Sequence, residues 1–186
     1  MRRGSGRGRG IGWFGVLVAL AVTGLAPEPD KEDPDDGSFG FTEPVACSEI
    51  KGFEDYVELP GGALTSDEKL IVYFRPRHFK TAKVGRQYEA HFTEDVKIRR
   101  RGQKPVLWSK AKIMEYQPRG GLPNPPIYFH NKIAIKGLTP GKYDLEIVLH
   151  DEIGQTPPAV RVLPFEVVLP KGEPDAKTAD AEVPPA

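Results

Sequence analysis

Residues 138–151 constrain the fold of this chain more than any other stretch, because a Pro-Gly turn opens directly into apolar residues at every second position. Tyr143, Leu145, Ile147 and Leu149 share one face of an extended segment, while Lys142, Asp144, Glu146 and His150 mostly share the other. A period of two with one apolar face is the pattern of a half-buried strand.

Similar signals recur through the block from 48 to 169. Leu70 to Phe74 form a short continuous apolar run, Tyr88, Ala90 and Phe92 alternate with polar residues, and so do Val96 and Ile98. Residues 106–116 carry Trp108, Ile113 and Tyr116, and residues 127–136 place Phe129, Ile133 and Ile135 on one parity. The last run holds Leu163, Phe165, Val167 and Leu169. Gly61-Gly62, the segment 118–126, Pro140-Gly141 and Pro157-Pro158 fall between these runs, as turn chemistry requires. No stretch offers a sustained helical period flanked by caps. The expected fold is all-β, one antiparallel sandwich of about seven strands, with an additional edge strand from Phe53 to Leu59.

The opening Leu138-x-Pro140-Gly141-x-Tyr143-x-Leu145 resembles the tyrosine corner of immunoglobulin-like and fibronectin type III-like sandwiches. Together with the closing Leu-Pro-Phe-Glu-Val at 163–167, it looks like the pattern of secreted bacterial proteins with an immunoglobulin-like domain. The resemblance implies that the Tyr143 hydroxyl bonds back to upstream backbone, and it carries no particular activity with it. The chain departs from antibody-type domains in having Leu145 where the second core cysteine would fall, with Trp108 left as the candidate core tryptophan.

Arg2, Arg3, Arg7 and Arg9 precede an apolar or small-residue run over 11–26, which reads as a cleaved export signal. The run is shorter than the roughly 20 residues of a stable span, so a membrane association is expected only if the segment stays uncleaved. Residues 27–47 read as an acidic, proline-rich disordered linker, 48–169 as the folded domain, and 170–186 as a disordered acidic tail. Residues 27–49 hold eight acids against Lys31, and 170–186 hold four against two lysines. Setting these and the leader arginines aside from the 26 bases and 26 acids leaves 19 bases and 14 acids in the remainder. A mildly basic core thus lies between acidic ends. With one cysteine, Cys47, no intramolecular disulfide can form. Cys47 is either a tucked-away small hydrophobe or a thiol able to link two chains.

Five bases fall within the eight residues 97–104, and Arg75, Arg77, Lys80 and Lys83 form a second basic loop. Arg99, Arg100, Arg101, Lys104, Arg75 and Arg77 are therefore candidates for holding phosphate, sulfate or carboxylate groups, as one surface if the two loops share an end of the sandwich. The competing reading is a solvated hairpin whose arginines protect a sheet edge. His78, His91, His130 and His150 lie at no metal-ligand spacing, and His150-Asp151-Glu152 reads as a polar loop rather than a calcium site. Tyr128 and Phe129 are adjacent in one strand, so one ring must point away from the core.

No nucleophile elbow, phosphate-cradling loop or paired-carboxylate motif appears in the domain. The expectation is a non-enzymatic, exported structural or protein-interaction domain of the cell envelope, without cofactor or metal, whose partner is an envelope protein. The alternative is an accessory module that binds a polyanionic glycan or other carbohydrate through the basic loops. Their length and spacing match no nucleic-acid module.

Overall fold

The computed structural model describes residues 37–170. The expected leader over 1–26, the linker up to residue 36 and the tail from 171 lie outside the described residues.

In chain order the strands are β1 (Gly40–Phe41), β2 (Val45–Gly52), β3 (Asp55–Glu58), β4 (Ala63–Thr65), β5 (Lys69–Phe74), β6 (Pro76–Arg77) and β7 (Ala82–Val84). They continue with β8 (Gln87–Glu89), β9 (Phe92–Arg100), β10 (Val106–Tyr116), β11 (Arg119–Gly120), β12 (Phe129–Ala134), β13 (Gly141–Asp151) and β14 (Ala159–Val168). Two sheets make the sandwich, one ordered β12–β5–β2–β3 and the other β10–β9–β13–β14–β4. Two small sheets, β1–β6 and β11–β8–β7, decorate it.

The strands number fourteen among the described residues, twice the seven that alternation alone suggests. The surplus comes from pieces of two to four residues, which are too short to show a period. One pairing also departs from the antiparallel expectation: β4 runs parallel to β14, with Leu64 opposite Val167.

The core fills the space between the sheets as the parities require. Leu70, Val72 and Phe74 of β5 and Phe129 and Ile133 of β12 face Phe92, Val96 and Ile98 of β9 and Leu145, Ile147 and Leu149 of β13. Leu163, Phe165 and Val167 of β14 extend the same layer.

The sheets begin earlier than residue 48. Phe41 is 3% exposed with its ring 4.9 Å from that of Phe74, and Ala46 and Cys47 are buried in β2. Residues 40–47 therefore belong to the folded domain and not to the linker. Their acidic, proline-rich neighbours hid a short aromatic strand that pairs with β6 through Gly40 and Arg77. Trp108 is a second correction: it is 36% exposed, because β10 is the last strand of its sheet.

Candidate functional site

Tyr143 stands at the start of β13, fully inside, and donates its hydroxyl hydrogen to the Thr139 carbonyl at 2.6 Å. Its ring stacks on Phe165 at 5.5 Å, and the Arg100 guanidinium lies 5.8 Å from the ring centre. Arg100 also donates to the Pro140 carbonyl at 3.1 Å. Gly141 has φ at 152°, a conformation that side-chain-bearing residues rarely adopt, and a Cβ on it would displace the Arg100 guanidinium, which lies 2.9 Å from that point. Pro140, Gly141, Tyr143 and Arg100 thus form one locked corner between β12 and β13.

The other cations of the basic hairpin are also committed. Lys97 and Arg99 both reach Glu146 on β13, at 2.9 and 2.5 Å, and Arg101 reaches Asp144 at 3.0 Å. The hydrogen bond from Lys97, seconded by Arg99, holds the Glu146 carboxyl below its usual range against the opposing effect of partial burial. Only Lys104 of the expected anion-binding set at this hairpin stands exposed without an ionic partner among the described residues. The charge cluster is a cross-strand ion-pair ladder, in which Lys97 meets Glu146 directly opposite it while Arg99 and Arg101 reach diagonally to Glu146 and Asp144.

The two basic loops do not converge. Tyr143 pairs with Arg100 at one end of β13, and Asp151 pairs with Phe92 at the other, a separation of roughly 27 Å at about 3.4 Å per residue. The loop after β5 is tied to the far end: the Lys80 amide donates to Asp151 Oδ2 at 2.7 Å, and Phe79 packs on Phe92. Arg75 pairs with Glu54 and sits 5.5 Å over the Phe53 ring. Arg77 lies half-buried in β6. Asp151, 3% exposed, also accepts from the amides of Ile153 and Gly154 at 3.1 and 2.8 Å. Its neighbours His150 and Glu152 contact Asp95 and Thr93, at 3.3 and 2.5 Å. The His-Asp-Glu run is therefore a seam that fastens loops to β13.

On the outer face of the four-stranded sheet, the tip of the β2–β3 hairpin covers β5. The Tyr56 ring stacks on Tyr73 at 4.4 Å, and the Glu54 amide donates to the Tyr73 hydroxyl at 2.9 Å. Tyr128 stacks on Tyr73 at 5.6 Å, so the outward ring of the Tyr128-Phe129 pair closes a small aromatic layer. Cys47 is sealed on this sheet at 2% exposure, and burial, with the Glu58 carboxylate adding to it, pushes its thiol up to about 11. It behaves as a small buried hydrophobe.

Two features escaped the sequence reading. Glu94 is fully buried between the sheets, where the Asn131 amide donates to its two oxygens at 2.7 and 2.6 Å. Burial pushes its carboxyl up to about 7, against the Asn131 hydrogen bond and with a smaller push from Asp95. The second is the free side of β10, where Val106, Leu107 and Trp108 are 44%, 52% and 36% exposed in succession. From 102 to 114 the sequence has Lys104, Lys110 and Lys112 and no acid, a signal that was present but overshadowed by the denser arginines before it.

No protein-family model matches this chain, and no curated protein matches it in sequence.

Proposed function

We propose that this is an exported immunoglobulin-like domain that acts in the cell envelope by binding a protein, without catalysing a reaction. The basic leader and apolar run over 11–26 support export. The immunoglobulin-like type is supported by the division of strands between the sheets, by β4 crossing over to run parallel to β14, and by the Tyr143 corner. The observation that carries the binding reading is the row of three large apolar side chains exposed along a sheet edge. Glu146, Asp144, Asp151 and Glu94, by contrast, are engaged in holding strands and loops together.

The reading is tested by placing a photo-crosslinking side chain at position 108 of the full chain, with position 136 as the control, and irradiating envelope material. A discrete protein adduct from 108 that survives high salt and is absent from 136 is expected. Equal adducts from both positions, or none, would overturn the reading. Intact mass of the envelope-associated chain should begin near residues 25–27, and a chain that retains Met1 in the membrane pellet would contradict cleavage.

A second reading, attachment to a polyanionic glycan, is favoured by one observation. Among the described residues, no acid lies within ion-pair distance of Arg77, Lys80, Lys83 or Arg86, so the segment from β6 to the β7–β8 turn carries unmatched positive charge where the 97–101 hairpin, apart from Arg100, does not. Salt-sensitive retention on a sulfated polymer, lost on replacing Arg77, Lys83 and Arg86 by Ser, would favour it.

A further inference from the structure

We propose that the free edge of β10 accepts an extended, acidic segment of the partner protein as an added strand. In this arrangement Leu107 and Trp108 hold the segment's apolar side chains, and Lys110 and Lys112 face its carboxylates. This rests on the protein-binding reading above and names the surface and the chemistry of the partner.

Two observations converge on the edge. Among the described residues β10 is the terminal strand of the five-stranded sheet, paired only with β9, so its outward backbone groups are open to a further ladder. Trp108 and Lys110 pair with Ile98 and Val96, which are buried, and share their face of the sheet, yet both are exposed because no strand lies beyond them among the described residues. An added strand would continue those two rows, with an apolar residue beside Trp108 and an acid beside Lys110.

The charge pattern selects the occupant. On β9 and in the turn after it, Lys97, Arg99 and Arg101 are matched by Glu146 and Asp144. On β10, Lys110 and Lys112, and Lys104 in the turn before it, have no acid within ion-pair distance among the described residues, and Lys110 lies on the face opposite to the Lys97 row, whose place on β10 is taken by Ser109. The positive charge along this edge is therefore left unmatched. A second copy of β10 would bring two more lysines against Lys110 and Lys112, which like-charge repulsion opposes, whereas an acidic segment matches them.

The geometry also limits the length of the added segment. Register shifts fall between Val106 and Trp108 and between Lys110 and Met114. At the second, Lys112 adopts φ 48° and its amide is taken by Asp95 at 2.8 Å. The regular stretch is short, so the edge fits one brief segment and does not template an open-ended stack.

The probe is a synthetic nine-residue peptide in which Val-Val and Glu-Glu pairs alternate, so that residues two apart on one face differ in type, set against its lysine–valine counterpart and against acidic forms N-methylated on alternate amides in either phase. Binding to the full chain is measured by anisotropy of the labelled peptide at low and moderate salt. The acidic peptide is expected to bind at least tenfold tighter than the lysine peptide and the weaker of the N-methylated forms. Lys110→Glu with Lys112→Glu should lose that margin and favour the lysine peptide. Trp108→Ser should weaken binding at least fivefold, while Val160→Ser on the exposed face of β14 should leave it unchanged, with melting curves confirming that each variant is folded.

Equal binding of acidic and basic peptides, or binding untouched by the charge reversal, overturns the proposal. So does equal binding of every N-methylated form, which would point to a general polyanion surface, or a concentration-dependent dimer abolished by Trp108→Ser, which would point to a second copy. If the peptides fail while the adduct from position 108 persists, the acidic-strand chemistry falls and the protein-binding reading stands. If the adduct is also missing, both fall.

Discussion

Glu94 occupies a position where the parity of β9 calls for an apolar side chain: Phe92, Val96 and Ile98 on the same face are all buried. Its folded carboxyl titrates near 7, above the ordinary 4.5, so the folded state holds a proton that the unfolded chain releases between those values. The stabilising contribution is full below about 4.5 and is lost as pH rises through about 7. The expected loss is roughly 3 kcal/mol, from about 1.4 kcal/mol per pH unit. Denaturant melts at pH 5 and pH 8 should show it, and Glu94→Gln should flatten the difference; an equal pH dependence in the variant would contradict the assignment. The parity was legible in the sequence, but a carboxylate in an alternating run reads as a surface residue until its partner, Asn131 on the opposite sheet, is known. Tyr143 is the contrasting case, since the residues that define its corner are contiguous. Tyr143→Phe removes one buried hydrogen bond while keeping the ring stacked on Phe165, so a loss of about 1 kcal/mol is expected in the same melts. A neutral effect would mean that the hydroxyl contributes nothing to closing the corner.

At the scale of elements, the long strands were readable because one face of each is buried, and the bounds of β10 coincide with the run seen in sequence. The two-residue β1 was not, because a period needs several repeats to register and its acidic, proline-rich surroundings dominate any composition window. Phe41→Ala should cost about 3 kcal/mol, the usual magnitude for emptying a buried aromatic site. A chain beginning at residue 48, which also lacks Ala46 and Cys47, should melt far lower than one that retains β1 and β2; equal melting of the two would return residues 40–47 to the linker. The tether of the loop after β5 is also invisible in sequence, since Lys80 and Asp151 lie 71 residues apart. It depends on Gly154, where a Cβ would fall 2.4 Å from Asp151 Oδ2. Gly154→Ala should therefore displace that buried carboxylate at a cost of roughly 1–3 kcal/mol. Faster amide exchange over 78–81 than over β13 would locate the damage, and unchanged exchange there would disconnect Gly154 from the tether.

For the whole molecule, the arrangement of charge depends on strand register more than on composition. The dense 97–104 run suggests a binding surface in sequence, but folding brings Glu146 and Asp144 alongside it from over forty residues away. The less conspicuous lysines of β10, and Arg77, Lys80, Lys83 and Arg86 elsewhere on the sandwich, have no acid within ion-pair distance among the described residues. The candidate site was legible in residue type but not in position, because sequence lists charges without their cross-strand neighbours. The parallel pairing of β4 with β14, through Ala63–Glu166, Leu64–Val167 and Thr65–Val168, has a mechanical consequence. Tension that draws the start of β4 away from the end of β14 slides the two strands past each other and loads their hydrogen bonds together, in shear, whereas an antiparallel hairpin under the same pull opens bond by bond. A domain strung between two anchored points would yield abruptly at this clasp. Single-molecule pulling with handles at residues 62 and 169 should record a higher rupture force than pulling across the β13–β14 hairpin with handles at 141 and 168, and equal forces would deny the clasp that role.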